Sequence, residues 1–417
     1  MAWTPAQAER YLLDLELFGM RFGLDRMHRL STALGMPQRR FAPIHVVGSN
    51  GKSSTVRFIA AILERHGLRT GSYTSPHLTS FTERIEVDGR PVSSERFAAA
   101  VHRAAKAVDI VERAQSDPGD AVTQFEALTA AAYHELAAQK VEVAVIEAGL
   151  GGRYDATNVI PSGVQVLTGV GLEHTRWLGP TVGDIAEEKL AVVRDHSTLV
   201  TGPLHPEAAA VASRVVAEHH AGWVRAPAPS ALRLRAPGEF QRQNFALACA
   251  AAEAFLGRPP DAGAVAAAAA QTRIPGRLDP VGERPLVLHD GAHNPAGAQA
   301  LAEALPEVIG ARRPAVLVAS VLDDKDAAAM LEALVGLFDQ IVFTRCSNPR
   351  SLSPATLESL SGRVGGPPVR TVADPGGAVG LARELAGVAG VVVVTGSIYL
   401  IADLARIPGG ATRASRL

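Results

Sequence analysis

From Ile44 onward the chain alternates short apolar runs with longer stretches of helical spacing: IHVV before SSTVRFIAAILERHG, then VEVAVIEAG, VQVLTGV before TVGDIAEEKLAVV, and STLVTG before PEAAAVASRVVAEHH. Near-continuous apolar runs of strand length read as strands buried on both faces, and parallel neighbours need a long, usually helical, crossover. The alternation therefore restricts the chain to an α/β fold with helices covering a parallel sheet. A second series follows the turn-rich RIPGRLDPVGERP, Arg273 to Pro285: PLVLHDG, a helix from Asn294, AVLVASV, a helix from Asp324, QIVFT and VVVVTGS. With 417 residues the chain exceeds what one core organises, so the boundary is read near Pro280: a P-loop parallel-sheet domain over 1–280 and a smaller Rossmann-like α/β domain over 281–417. The run Ala264 to Ala270 is expected as a thin buried helix, because Ala has the highest helix propensity.

Several function classes are excluded by composition. A formal net charge of −1 leaves no global basic field for nucleic acid or an acidic membrane, so an anionic ligand must be held by local groups. Cys249 and Cys346 stand far apart, without the spacing of a disulfide framework or a zinc site. The first residues lack a basic flank before an apolar core, and no apolar run approaches membrane-spanning length. The chain is read as cytoplasmic, and as a monomer, since nothing in it resembles a coiled coil.

The strongest local signal is HVVGSNGKSST, His45 to Thr55, which joins a β-branched strand, a glycine-bearing turn and an amphipathic helix. Gly48 and Gly51 let peptide N–H groups approach an anion, the helix start offers about half a positive charge, and Lys52 supplies a full one. The general GxxxxGK[ST] pattern fails at Val46; the shorter GxNGK[ST] is met. Glu147 ends the strand VAVIE before a glycine-rich loop, at the sheet edge where α/β folds bind ligands, and is a magnesium position. Glu173 and His174 follow VQVLTGV onto that same edge. Lys189 has two readings: a surface ion pair on a helix whose Asp184, Glu187 and Glu188 mark a solvated face, or a desolvated amine able to capture carbon dioxide as a carbamate.

In chain order, FGLDR (Phe22 to Arg26), GSNGKSST, YTSPHLTSFTERI (Tyr73 to Ile85), TQFEALTAAAY, EAGLGGRYDATN, GLEHTRWLG, IAEEK, QRQNFALA, PGRLD and DGAHNP resemble the folylpolyglutamate synthase and dihydrofolate synthase family of the Mur ligase superfamily. The resemblance implies an ATP-dependent ligase that joins L-glutamate to a folate or dihydropteroate carboxylate through an acyl phosphate. It implies that Asn50, Gly51, Lys52, Ser53 and Ser54 bind the ATP phosphates, and that Asn244, Arg277, Asp290 and His293 contact the nucleotide. Ser75, Glu147 and His174 would hold two magnesium ions, Lys189 would be carbamylated, and a monovalent cation is admitted. Arg21, Phe22 and Gly23, Thr123, and Tyr154, Asp155 and Ala156 would face the pteroate-type substrate.

The chain departs from the family pattern in three places: Ser53 replaces the glycine after the lysine, Glu173 stands where aspartate is usual, and LAV follows Lys189 in place of AGI. Which loop serine approaches magnesium therefore stays open. Two other readings share the loop: a cell-wall Mur ligase, which usually carries a whole domain ahead of it where only about one helical pair fits here, and a P-loop regulatory ATPase that makes no amide.

Overall fold

A computed structural model describes residues 3–15, 23–114, 121–229 and 232–406. They part into two compact units: the described residues up to Leu232 together with Gln243–Ala270, and Arg233–Arg242 together with those from Gln271 onward. The first unit contains β1 (Ala42–Val47), β2 (Thr70–Tyr73), β3 (Ile85–Val87), β4 (Arg90–Pro91), β5 (Val143–Glu147), β6 (Val164–Leu167), β7 (Thr198–Thr201) and β8 (Gly222–Arg225). They form one sheet in the order β4-β3-β2-β5-β1-β6-β7-β8, parallel except for the antiparallel edge of β3 and β4. The chain leaves β1 for β2 on one side and, after β5, crosses to β6 on the other. That reversal opens a crevice at the carboxyl ends of the three central strands, the place where open α/β sheets bind ligands. Pairing of Val46 with Glu147 and of Val47 with Leu167 brings the loops after β1, β5 and β6 to one level.

One face of this sheet is covered by helices Pro5–Asp14, Asp25–Ala33, Ser94–Arg113 and Gln124–Ala138, whose apolar residues share a core with Tyr73, Ala144 and Ile146. Helix Gln124–Ala138 is buried nearly all round, which its Ala-rich composition allows. Thr123 caps it through a capping box with Glu126. The Glu126 carboxylate also accepts from Arg26 Nε at 2.9 Å, both side chains being buried. Removing one partner of a buried pair leaves the other charge unsatisfied, so Glu126→Ala is expected to lower unfolding stability by about 3–5 kcal/mol. Urea denaturation checks this; an unchanged midpoint would show the pair to be dispensable.

In the second unit β9 (Asp279–Glu283), β10 (Leu286–His289), β11 (Ala315–Ala319), β12 (Gln340–Phe343), β13 (Val369–Thr371) and β14 (Val391–Thr395) form a sheet in the order β13-β12-β11-β14-β10-β9. All are parallel except β9, which pairs antiparallel with β10. Pro280, where the turn-rich stretch was read as the boundary, lies inside β9. The Ala-rich segment forms the helix Ala262–Gln271, but only its Ala268 and Ala269 are buried. Propensity gave the element, while the expected burial of the whole helix is not observed. Among the described residues no helix is long and apolar enough to cross a membrane.

Candidate active site

The turn between β1 and helix Lys52–Glu64 is shaped by two glycines that no other residue could replace without movement. Gly48 has φ +147°, and a Cβ there would lie 2.0 Å from Thr168 Oγ1; Gly51 has φ +84°, and a Cβ there would lie 2.3 Å from Asn244 Oδ1. Asn244, from helix Glu239–Leu256, is thereby packed against the loop. Lys52 folds back over the turn, its Nζ donating to Gly48 O at 2.9 Å and Ser49 O at 3.3 Å. A full positive charge thus sits over a backbone turn at a helix start, an arrangement suited to polyphosphate.

Glu147, at the end of β5 and 1% exposed, accepts from Ser53 Oγ at 2.9 Å and from the Ser75 backbone N–H at 3.1 Å. A buried carboxylate beside a hydroxyl is a hard-oxygen donor set, and such a set fits magnesium. Ser53, which departs from the family glycine, is the loop hydroxyl that reaches this carboxylate. Ser54 is buried within the first turn of the helix, and Asn50 is exposed at the loop tip.

Lys189 is 1% exposed, and its Nζ donates to Glu173 Oε1 at 2.8 Å and to Gly48 O at 3.0 Å. The surface ion-pair reading does not hold. Asp184 instead caps Thr181, Glu187 pairs with Arg214, and Glu188 with Arg153. The reason is helical phase: Val182, Ile185, Ala186, Lys189 and Leu190 fall on one stripe, and that stripe is the apolar one, with Lys189 inside it. Burial pulls the Lys189 ammonium down to about 8, against the Glu173 carboxylate, which pulls it up. Glu173 itself stays ionised, held at about 2 by Lys189 and Lys52 against its own burial. His174 follows at φ +46°, exposed at the start of the short helix Thr175–Leu178.

The residues assigned to the pteroate side fare differently. Arg21 and Phe22 lie outside the described residues; Gly23 is present with φ +125°. Thr123 directs its hydroxyl to Glu126, and Asp155 accepts from the N–H groups of Leu150 and Thr157 and from the Thr157 hydroxyl. Both side chains therefore have internal duties as caps. Burial raises the Asp155 carboxyl above its ordinary value. Ala156 is buried, and Tyr154 is the exposed member of the group.

In the second unit, PGRLD and DGAHNP are joined by the backbone. Leu278 N–H donates to Asp290 at 2.9 Å, Gly291 N–H to Gly276 O at 2.8 Å, and Ala292 N–H to Asp290 at 2.8 Å. Burial raises the Asp290 carboxyl, although Arg277 opposes the rise. A Cβ on Gly291 would stand 3.2 Å from Arg277 Nη1, so the guanidinium lies against this turn. His293 Nδ1 meets Gly291 O at 2.9 Å. Arg277, Asp290 and His293 therefore share one corner at the carboxyl end of β10.

Sequence reasoning missed the segment that holds the phosphate loop from below. Ser49 N–H donates to Gly169 O at 3.0 Å, Gly171 N–H to Ser49 Oγ at 3.0 Å, and Thr168 Oγ1 to Asn50 O at 2.6 Å. The polar Thr168 ending an apolar strand run was the available signal.

Known proteins resemble this chain in sequence and in fold. The family described as Mur ligase, glutamate ligase domain matches residues 276–398. The dihydrofolate synthase/folylpolyglutamate synthase of Mycobacterium tuberculosis is 36% identical over 405 residues, covering 87% of this chain and 82% of that protein. That of Bacillus subtilis is 33% identical, covering 93% and 95%. The crystal structure of Mycobacterium tuberculosis folylpolyglutamate synthase complexed with ADP and AMPPCP superposes with a TM-score of 0.88 at 34% identity, covering 96% of this chain and 98% of that one.

Proposed function

The chain belongs to the folylpolyglutamate synthase and dihydrofolate synthase family, and on that premise we propose which of its residues carry out the ligation. It is an ATP-dependent ligase that joins glutamate to the carboxylate of a folate-type acid. Backbone N–H groups of Asn50 to Ser54 and the Lys52 ammonium hold the triphosphate. Glu147, Ser53 and Ser75 supply the oxygen donors for magnesium, which when bound neutralises charge on the β and γ phosphates. The acid's carboxylate oxygen bonds to the γ phosphorus, the bond to the β-phosphate oxygen breaks, and ADP leaves. The amine of glutamate then adds to the acyl carbon, loses a proton, and expels phosphate as the amide forms.

Asn244, packed on Gly51, and the corner of Arg277, Asp290 and His293 serve the nucleotide. Lys189 is proposed to carry a carbamate that, with His174, supports a second magnesium ion; its burial and lowered pKa support this reading, since carbon dioxide adds to the neutral amine. Gly23, Tyr154 and Ala156 line the side taken by the pteroate-type group, with Thr123 and Asp155 fixing the backbone beneath. A cytoplasmic setting is supported by two cysteines that are both free thiols.

The observation that carries the assignment is the Glu147 carboxylate, held by Ser53 Oγ and the Ser75 N–H beside a lysine-bearing loop. Purified protein with ATP, magnesium and glutamate, offered dihydropteroate and tetrahydrofolate separately, tests it. Phosphate release is expected only when acid and glutamate are both present, with a product heavier by one glutamyl residue. ATP hydrolysis indifferent to both would return the regulatory-ATPase reading.

A further inference from the structure

We propose that Thr168 is a positioning residue for nucleotide binding: its hydroxyl fixes the peptide between Asn50 and Gly51 so that the Gly51 N–H is aimed into the phosphate cradle. The proposal rests on the reading of this loop as the ATP site.

Thr168 is the first residue after β6 and lies 118 positions from the residue it holds. Its backbone N–H donates to Val47 O at 2.9 Å, which continues the β1–β6 ladder by one step and leaves the side chain directly under the turn. Its Oγ1 then donates to Asn50 O at 2.6 Å. In a trans peptide the C=O and the following N–H point in opposite directions, and the 50–51 bond is not among the cis bonds of the chain. A carbonyl drawn down to Thr168 therefore turns the Gly51 N–H to the opposite side.

The need for this clasp follows from the glycines. Gly48 and Gly51 give the turn its positive-φ conformations, but the same freedom allows the intervening peptides to rotate, and a rotated peptide would present a carbonyl oxygen to an anion. Three contacts oppose rotation. Asn244 blocks one side of Gly51, Ser49 is tied to Gly169 and Gly171, and Thr168 pins the Asn50 carbonyl. Of these, Thr168 acts on the peptide nearest the helix start. The close approach at Gly48, where an added Cβ would meet Thr168 Oγ1 at 2.0 Å, shows that loop and clasp are fitted to each other. The Asn50 carbonyl lies in an exposed part of the loop, so losing the bond leaves it open to water and has little effect on folding.

Thr168→Ala removes the hydroxyl without crowding Gly48; Thr168→Ser keeps it. Calorimetric titration with ADP is the readout, alongside KM for ATP, for the acid and for glutamate, and the melting midpoint. Loss of one hydrogen bond that orders a binding N–H is expected to weaken ADP and raise KM for ATP about tenfold in the alanine variant. KM for the acid and for glutamate should stay put, and serine should restore wild-type values. Wild-type ADP affinity in Thr168→Ala overturns the proposal, as does a serine variant as weak as alanine, or a loss spread equally over all three substrates with a lowered melting midpoint. If wild-type protein itself fails to bind ADP, it is the ATP-site reading that falls.

Discussion

Lys52→Ala is expected to reduce phosphate release in the presence of folate-type acid and glutamate by a factor of about 10²–10³ or more, the usual effect of deleting one preorganised group that faces developing charge. The lysine is the one cation within the turn from Gly48 to Thr55, and its Nζ rests on the carbonyls of Gly48 and Ser49. In phosphoryl transfer, charge accumulates on oxygens that water would otherwise solvate, so positioning and electrostatics carry most of the rate. The side chain is half-buried and its partners are loop carbonyls, so the melting midpoint should hardly change. Folded protein with lost turnover and weakened ADP binding is the expected result. Near-normal turnover would remove the loop from the mechanism.

Lys189 should give an effect of similar size, and a pair of variants separates its two chemical roles. Alanine leaves Glu173 without its ion-pair partner and Gly48 O with Lys52 as its remaining side-chain donor, so activity should fall by about 10²–10³ and bicarbonate should not restore it. Arginine keeps a positive charge beside Glu173 and cannot form a carbamate. A carbamate role therefore requires Lys189→Arg to be as inactive as Lys189→Ala, whereas substantial activity in the arginine variant would assign the lysine to holding Glu173 and the loop. The pH dependence has a definite sign. With burial pulling the ammonium down to about 8, the neutral amine becomes more abundant as pH rises through that region, so uptake of carbon dioxide should increase with pH. Intact-mass measurement in bicarbonate at several pH values reads this directly, and carbon dioxide depletion should lower activity more at pH 7 than at pH 8.5.

Much of the fold was legible because its main strands are apolar and its helices amphipathic. The runs from Ile44, Val141, Val164 and Ser197 correspond to β1, β5, β6 and β7, and those from Pro285, Ala315, Gln340 and Val391 to β10, β11, β12 and β14, with starts shifted by up to two residues. β2 was not legible. Its Thr-Gly-Ser-Tyr sequence has no apolar run, yet every residue is buried, because Tyr73 OH meets Thr129 Oγ1 at 3.1 Å and Gly71 leaves room for Leu136. Only its neighbours in space make such a strand tolerable, by satisfying its polar atoms.

The sequence by itself determined what depends on a few adjacent residues: the strand–turn–helix of the phosphate loop, the glycines that let it form, and the placing of Glu147 at a strand end. Tertiary structure decided which groups those residues meet. Ser53 and Glu147 are 94 positions apart, Asn50 and Thr168 118, and Gly48 and Lys189 141. Periodicity and backbone preference act over one or two turns of chain, whereas burial, the lowered pKa of Lys189 and the clasp on the Asn50 carbonyl arise from desolvation and hydrogen bonding between strands that only the closed sheet brings together.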